Sequence, residues 1–432
     1  MAAPHDENVP ASSIVSISRI VSVHQKLLQP DQRVLNLSNL DRQCPTHMYL
    51  VFFYKHHTLK DHLSLNSVFK GLKSGLEETL SIWYPGAGRL RQNQIDEKLN
   101  LCCNNEGAIL VEAETTVKIS QLGDLSQYSD FFEKLVYKPA FGDGDFSNMP
   151  LVVAQVTKFG CGGYSIGIGT SHSLFDGPAT YNFLNAWASN SEIVKEKCEN
   201  EVPKPVHERG ILLLKSDNPQ TSKGSINLAS KSTLNVQQQA RTIAIVHLHQ
   251  LIMQAASGSK GFPIQIIGPS DQNKYVLKTY HISGAMIDYL KKKHFPMCKS
   301  GSLPFSTFEV LAAHLWKVIL KIREAKNGVN NDYVRTYIEA LEGGANGSSL
   351  PPLKELTLVS DWTRIPFHNI EFFNGKAAYA CPLATPVPQV AYFMQTPTHY
   401  GDDVHVRIAI QPQSLDAFTH CFFNNANVLS SI

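Results

Sequence analysis

A histidine four residues ahead of an aspartate has the makings of a proton-transfer site. The imidazole accepts a proton near neutral pH, and a carboxylate one helical turn on can orient the ring or brace the backbone. The chain holds this spacing at three places, His57 with Asp61, His172 with Asp176, and His399 with Asp403, so the bare spacing selects nothing. Only at His172 does a glycine follow the aspartate, in Ser171-His172-Ser173-Leu174-Phe175-Asp176-Gly177. Only there does the segment follow a strand-like stretch and precede a helix-like run, 181–188. A side chain at a strand end projects into a cleft while its backbone stays fixed. Acyl transfer to an alcohol or amine needs the proton of the attacking group removed, which is the task such a histidine can perform. On local pattern alone, His172 reads more readily as a capping or hydrogen-bonded turn residue.

The elements that must hold this segment are legible on both sides of it. Residues 14–23 alternate apolar and polar and predict a half-buried strand, with a second at 48–54. Between 64 and 84, Leu65, Val68, Phe69, Leu72, Leu76 and Leu80 recur at helical intervals, and Pro85 ends the run. Short strands are expected at 99–103 and 108–114, then a hairpin with arms 151–159 and 164–170 around Gly160-Cys161-Gly162-Gly163. Residues 189–225 are polar and rich in Pro, Lys and Glu, and predict a surface crossover. The division is therefore 1–195, a linker at 196–225, and 226–432. In the second part, helices are expected at 240–255 and 305–322, strands at 275–282 and in several segments between 356 and 410, and a loop at 343–352. Strands mixed with helices and no regular βαβ alternation predict an α+β class with mixed sheets.

Size and composition narrow the function. At 432 residues the chain exceeds what one core usually fills, which predicts two domains with room for a cleft. Apolar residues at 43% and charged residues at 18% describe a globular protein. The net charge of +2, from 39 basic and 37 acidic residues without a long run of one sign, argues against a nucleic-acid partner. The eight cysteines include the adjacent Cys102 and Cys103 but no C-x-x-C pattern, so neither a metal site nor a disulfide framework is indicated, and reduced thiols are expected. No stretch approaches the roughly 20 apolar residues of a spanning helix, and residues 1–10 lack the apolar core of a signal peptide. A cytoplasmic, monomeric protein is expected.

Several segments, in order along nearly the whole chain, resemble the plant BAHD acyltransferases. His172 to Gly177 is similar to their H-x-x-x-D-G motif, Leu37-Ser38-Asn39-Leu40-Asp41 to an early L-S-x-x-D, and Tyr84-Pro85-Gly86-Ala87-Gly88-Arg89-Leu90 to Y-P-x-A-G-R-L. Asn105-Glu106-Gly107-Ala108 resembles N-x-E-G. Phe308 to Trp316 resembles a second-domain helix, and Trp362-Thr363-Arg364-Ile365-Pro366 a strand leading into a second signature. Each alone reads as core or turn; their joint order is the specific signal. The resemblance implies two similar-sized domains with mixed sheets and flanking helices, chloramphenicol acetyltransferase-like, around an interface channel. It implies acyl-CoA as co-substrate with no bound cofactor or metal, and a small alcohol, less readily an amine, as acceptor. His172 takes the part of general base and Asp176 a structural, orienting part. Ser360 and Trp362 fall where a hydroxyl donor for the tetrahedral oxyanion and its neighbour are expected.

Two departures qualify the resemblance. The second signature, D-F-G-W-G-K, aligns with Glu371-Phe372-Phe373-Asn374-Gly375-Lys376, where Phe replaces Gly and Asn replaces Trp, so altered local packing is expected. After Trp316 the family's D-x-R-x-R strand and G-N segment have no counterpart. That loss removes a central strand of the second domain and an arginine able to pair with Asp176. These departures motivate a competing reading, a non-catalytic relative that binds a partner or acyl chain. A hydrolase or lyase using the same histidine ranks behind both, because no G-x-S-x-G elbow accompanies it. Val206-His207-Glu208-Arg209-Gly210 and residues 247–256 suggest a specialised-metabolism subgroup acting on bulky alcohols such as steroids.

Overall fold

The computed structural model describes residues 14–27, 33–43, 46–55, 64–93, 98–139, 149–191, 193, 204–213, 276–294, 305–316, 330–331, 334, 358–373, 375–383, 390–397, 402–410 and 412–424. The helix expected at 240–255, the loop at 343–352, and the pairs His57 with Asp61 and His399 with Asp403 fall wholly or partly outside these residues, as does most of the linker at 196–225.

The first half is organised by a six-stranded sheet. Its strands are β1 (Ser16–Val23), β3 (His47–Tyr54), β6 (Ala108–Glu114), β7 (Val152–Lys158), β8 (Tyr164–Ser171) and β11 (Tyr379–Leu383), in the order β1-β6-β7-β8-β3-β11. The β6 and β7 pair is parallel and the others antiparallel. Both faces of β8 are covered, so all eight of its residues are buried, which explains its nearly continuous run of apolar and small residues. The hairpin forms where the glycines predict it, and Gly162 supplies the positive φ of 81°. A satellite sheet of β2 (Arg33–Leu35), β5 (Leu99–Cys103) and β4 (Arg89–Gln92) packs alongside.

Helix α1 (Leu65–Ile82) buries Val68, Phe69, Leu72, Leu76 and Leu80, the stripe read from the sequence, and the Ser64 hydroxyl caps it by accepting from the Ser67 amide. It lies against α2 (Gly177–Asn190), where the buried Trp187 indole donates to the Leu72 carbonyl at 2.8 Å.

The second half has a four-stranded sheet, β10 (Leu358–Trp362), β12 (Val390–Gln395), β13 (Val404–Ile410) and β9 (Val276–Ile282), in that order. It is flanked by α3 (Gly284–His294), α4 (Thr307–Trp316) and α5 (Leu415–Asn424). Helix α4 is described over part of the stretch read as 305–322; α3, α5, β2 and β4 were not anticipated. Two strands sharing a sheet need not share a half of the sequence. β11 comes from the second half yet pairs with β3 of the first, its Tyr379 opposite Phe53 and its Leu383 opposite Tyr49.

Phe373, which stands where the second signature has a glycine, is fully buried. Its ring stacks on Tyr164 at 5.3 Å and meets Tyr54 edge-on at 4.9 Å, while Phe372 meets Trp187 at 4.7 Å. The Tyr54 hydroxyl donates to the Ile370 carbonyl at 2.8 Å. The altered segment is thus packed into the first-half core, an aromatic filling of the space around the substitution.

Candidate active site

His172 follows the last residue of β8, and its backbone N–H donates to the Thr46 carbonyl at 2.8 Å, just ahead of β3. The amides of Leu174 and Phe175 both donate to the Ser171 carbonyl at 3.0 Å, closing a tight turn into α2. Phe175 anchors that turn: it is buried, stacked on Trp83 at 5.9 Å and edge-on to Phe183 at 5.2 Å. The half-buried His172 side chain is therefore carried by a backbone fixed at both ends. Among the described residues no hydrogen bond joins its ring to Asp176.

Asp176 is exposed and caps α2, its carboxylate accepting from the Ala179 amide at 2.8 Å, with proline in the first turn. Of the two parts the sequence left open, orienting the ring or bracing the turn, this geometry performs the second. No ion pair of Asp176 with an arginine occurs among the described residues. The 362–367 segment of the second half packs close on the start of α2: a Cβ at Gly177 would stand 2.5 Å from the end methyl of Ile365, which would have to shift.

Ser360 and Trp362 lie on β10, and the Trp362 indole N–H donates to the Ser360 hydroxyl at 2.8 Å. The hydroxyl keeps its own proton to donate elsewhere. Trp362 is nearly buried in the first-half core, 5.2 Å from Phe367, whose ring in turn meets Tyr181 of α2 at 6.0 Å. Helix α2, which follows the His172 turn, and the segment after β10 thus meet through Ile365 and Phe367.

His47 was not legible as a neighbour of the site, since it reads simply as the start of a strand. It sits opposite Ser171 in the β3–β8 pairing, and its Nε2 lies 2.7 Å from the Pro150 carbonyl. Burial lowers its pKa to about 4, against the pull of that carbonyl, so near neutrality the ring is uncharged and Nε2–H is the donor. A cavity of about 870 Å³ lies elsewhere, between the halves near Lys55, Asp124, Gln127, His281, Tyr379 and His405. There His405 accepts from or donates to the Tyr379 hydroxyl at 3.0 Å, and burial lowers its pKa to about 4. No group of three or more metal-ligating side chains occurs among the described residues. No helix among them is long and apolar enough to cross a membrane.

The ordered motifs and the mixed-sheet architecture agree with the comparisons to known proteins. The model of the Transferase family matches residues 18–328. The chain belongs to this family, the BAHD acyltransferases. It is 42% identical to Brassinosteroid-related acyltransferase 1 of Arabidopsis thaliana, over 95% of this chain and 98% of that protein. It is 27% identical to Rosmarinate synthase of Plectranthus scutellarioides, over 90% and 94%. Among solved structures, vinorine synthase superposes with a TM-score of 0.60 at 18% identity, covering 93% of this chain and 96% of that one. F. sporotrichioides TRI101 superposes at 0.59 and 12%, covering 90% and 97%. The BAHD chain is thus an acyltransferase of the two-domain, chloramphenicol acetyltransferase-like fold. The alignment to the Arabidopsis relative runs over 482 positions, more than the 432 this BAHD member possesses, so that relative carries residues this chain lacks.

Proposed function

We propose that this protein transfers an acyl group from a coenzyme A thioester to a hydroxyl of a bulky plant metabolite of steroid type, with His172 as general base. The observation that carries the reading is the His172 turn, fixed by the Thr46 carbonyl and the α2 cap at the end of β8, with the Trp362–Ser360 bond on β10 leaving a hydroxyl proton free to donate. The ring takes the acceptor's proton as its oxygen attacks the thioester carbonyl; the oxyanion that forms is met by the Ser360 hydroxyl, and collapse expels the thiolate, which recovers the proton. The donor assignment is supported by the fold shared with TRI101, a protein solved in complex with coenzyme A and T-2. The acceptor assignment is supported by the brassinosteroid relationship named for the Arabidopsis relative. An amine acceptor ranks second. The reading includes a cytoplasmic monomer, checked by size-exclusion chromatography and a fluorescent fusion.

The test incubates purified protein with a panel of acyl-CoA thioesters and brassinosteroids, with ester formation followed by mass spectrometry. Ester formed by the wild type and reduced about 10²- to 10⁴-fold by His172→Ala supports the assignment. Turnover undiminished in His172→Ala overturns the base. A folded protein whose unfolding temperature does not respond to coenzyme A and that makes no ester favours the non-catalytic reading, which the shortened second half motivates.

A further inference from the structure

The L-S-x-x-D motif and the crossover segment meet at one ion pair beside the His172 turn. Arg209 Nε lies 3.0 Å from Asp41 Oδ2, both side chains largely shielded. The same Asp41 oxygen accepts from the Ser38 amide at 2.7 Å and the Ser38 hydroxyl at 2.8 Å, so the carboxylate is fixed before the arginine reaches it. The remaining arms of the guanidinium donate to two carbonyls: Nη1 to His207 at 2.6 Å, and Nη2, at 3.5 Å, to Ser173, the residue after His172. His207 is held in turn, its Nε2 3.1 Å from the Ile82 carbonyl and its ring 4.8 Å from Tyr84. A cavity of about 260 Å³ separates the rest of the crossover from the turn, lined by Leu174, Ala179, Lys204, His207 and Arg209. Arg209 therefore joins the Ser173 carbonyl to the crossover.

From this we infer that Arg209 is a positioning residue: anchored by Asp41, it holds the Ser173 carbonyl and so sets the presentation of the His172 ring. A planar, rigid fork can serve a carboxylate on one edge and carbonyls on the other, which an ammonium cannot do in one geometry. The crossover, read from sequence as a mere connection, is then part of the site's framework. Its importance to turnover rests on His172 being the base; its effect on the turn does not.

The test therefore reads the ring directly. The rate of carbethoxylation of His172 by diethyl pyrocarbonate is measured by peptide mass spectrometry, relative to the exposed His24, in Arg209→Met, Asp41→Asn, the double variant and Arg209→Lys. The expected result is a change in the His172 to His24 ratio of at least about threefold in both single variants, no further change in the double variant, and partial recovery in Arg209→Lys. An unchanged ratio in Arg209→Met, or single effects that simply multiply in the double variant, overturns the clasp. Asp41→Asn keeps the size of the side chain and serves where Arg209→Met does not fold. The base assignment fails separately, through undiminished turnover in His172→Ala.

Discussion

Replacing Phe373 by the glycine that the second signature carries elsewhere should damage this protein. If the segment had merely decayed, Phe373→Gly would be neutral or would restore the motif. The packing argues otherwise: the ring is fully buried, stacked on Tyr164 and edge-on to Tyr54. Truncating a buried phenylalanine to alanine costs about 3–5 kcal/mol. Two aromatic pairs at about 0.5–1.5 kcal/mol each place this site toward the upper part of that range, and glycine adds about 0.5–1 kcal/mol of backbone entropy. The expected loss is thus about 4–6 kcal/mol. Trp83, Trp187 and Trp362 share the core that Phe373 fills, so tryptophan fluorescence during urea unfolding reports on the relevant transition. A loss under about 1 kcal/mol, on a scale where most substitutions cost about that much, refutes the view that Phe373 compensates for the altered motif.

Four further outcomes are expected. Asp176→Ala should lose about 1 kcal/mol through the α2 cap while Asp176→Asn, still able to accept from the Ala179 amide, loses a few tenths, as urea midpoints will show. Ser360→Ala should lower kcat about 10²- to 10³-fold with KM little changed if its hydroxyl meets the oxyanion, measured with the ester-forming pair. His47 and His405 are held neutral with pKa values lowered to about 4, so the unfolded chain binds more protons than the native one between about pH 6.5 and 4, and stability falls as pH drops through that window. Urea midpoints at pH 7 and pH 5 should show the decline, and His405→Gln should flatten it. Arg407, fully buried and donating to Thr279, Pro382 and Ser126, should tolerate lysine poorly, losing about 1–3 kcal/mol per unmade bond to a charged group.

What the sequence made legible follows from how local each signal is. The α1 stripe, the β7–β8 hairpin and the strand-end position of His172 are encoded in neighbouring residues, and all appear within a residue or two of their expected bounds. Periodicity does not announce which strand pairs with which, so the crossing of β11 into the first-half sheet was invisible. The same holds for the site's framework. Thr46, His47 and Arg209 reach the Ser171–Ser173 turn from positions 126, 125 and 37 residues away from His172 along the chain, and no local pattern links them. Asp176 shows the opposite case, where both readings were local and only the carboxylate's direction, toward the Ala179 amide, separates them.

The shortened second half bears on these parts unequally. The segments that complete the interface, 358–373 and 375–383, follow the stretch where the family pattern is lost, and they remain tied to the first half by the Tyr54 bond to Ile370, the two buried phenylalanines and the β3–β11 pairing. A second set of ties runs through Arg407 to Ser126 and through Gln127 to the Thr279 carbonyl. Among the described residues, the His172 turn thus rests on contacts that lie outside the stretch after Trp316 where the family pattern is lost. Among the described residues the second-half sheet has four strands, with β9 and β10 at its margins, and sheet margins are where a sheet frays or recruits a neighbour unless they are covered. Impairment of this form should therefore begin in the sheet of β9, β10, β12 and β13, leaving the tryptophan-rich core and the His172 turn in place.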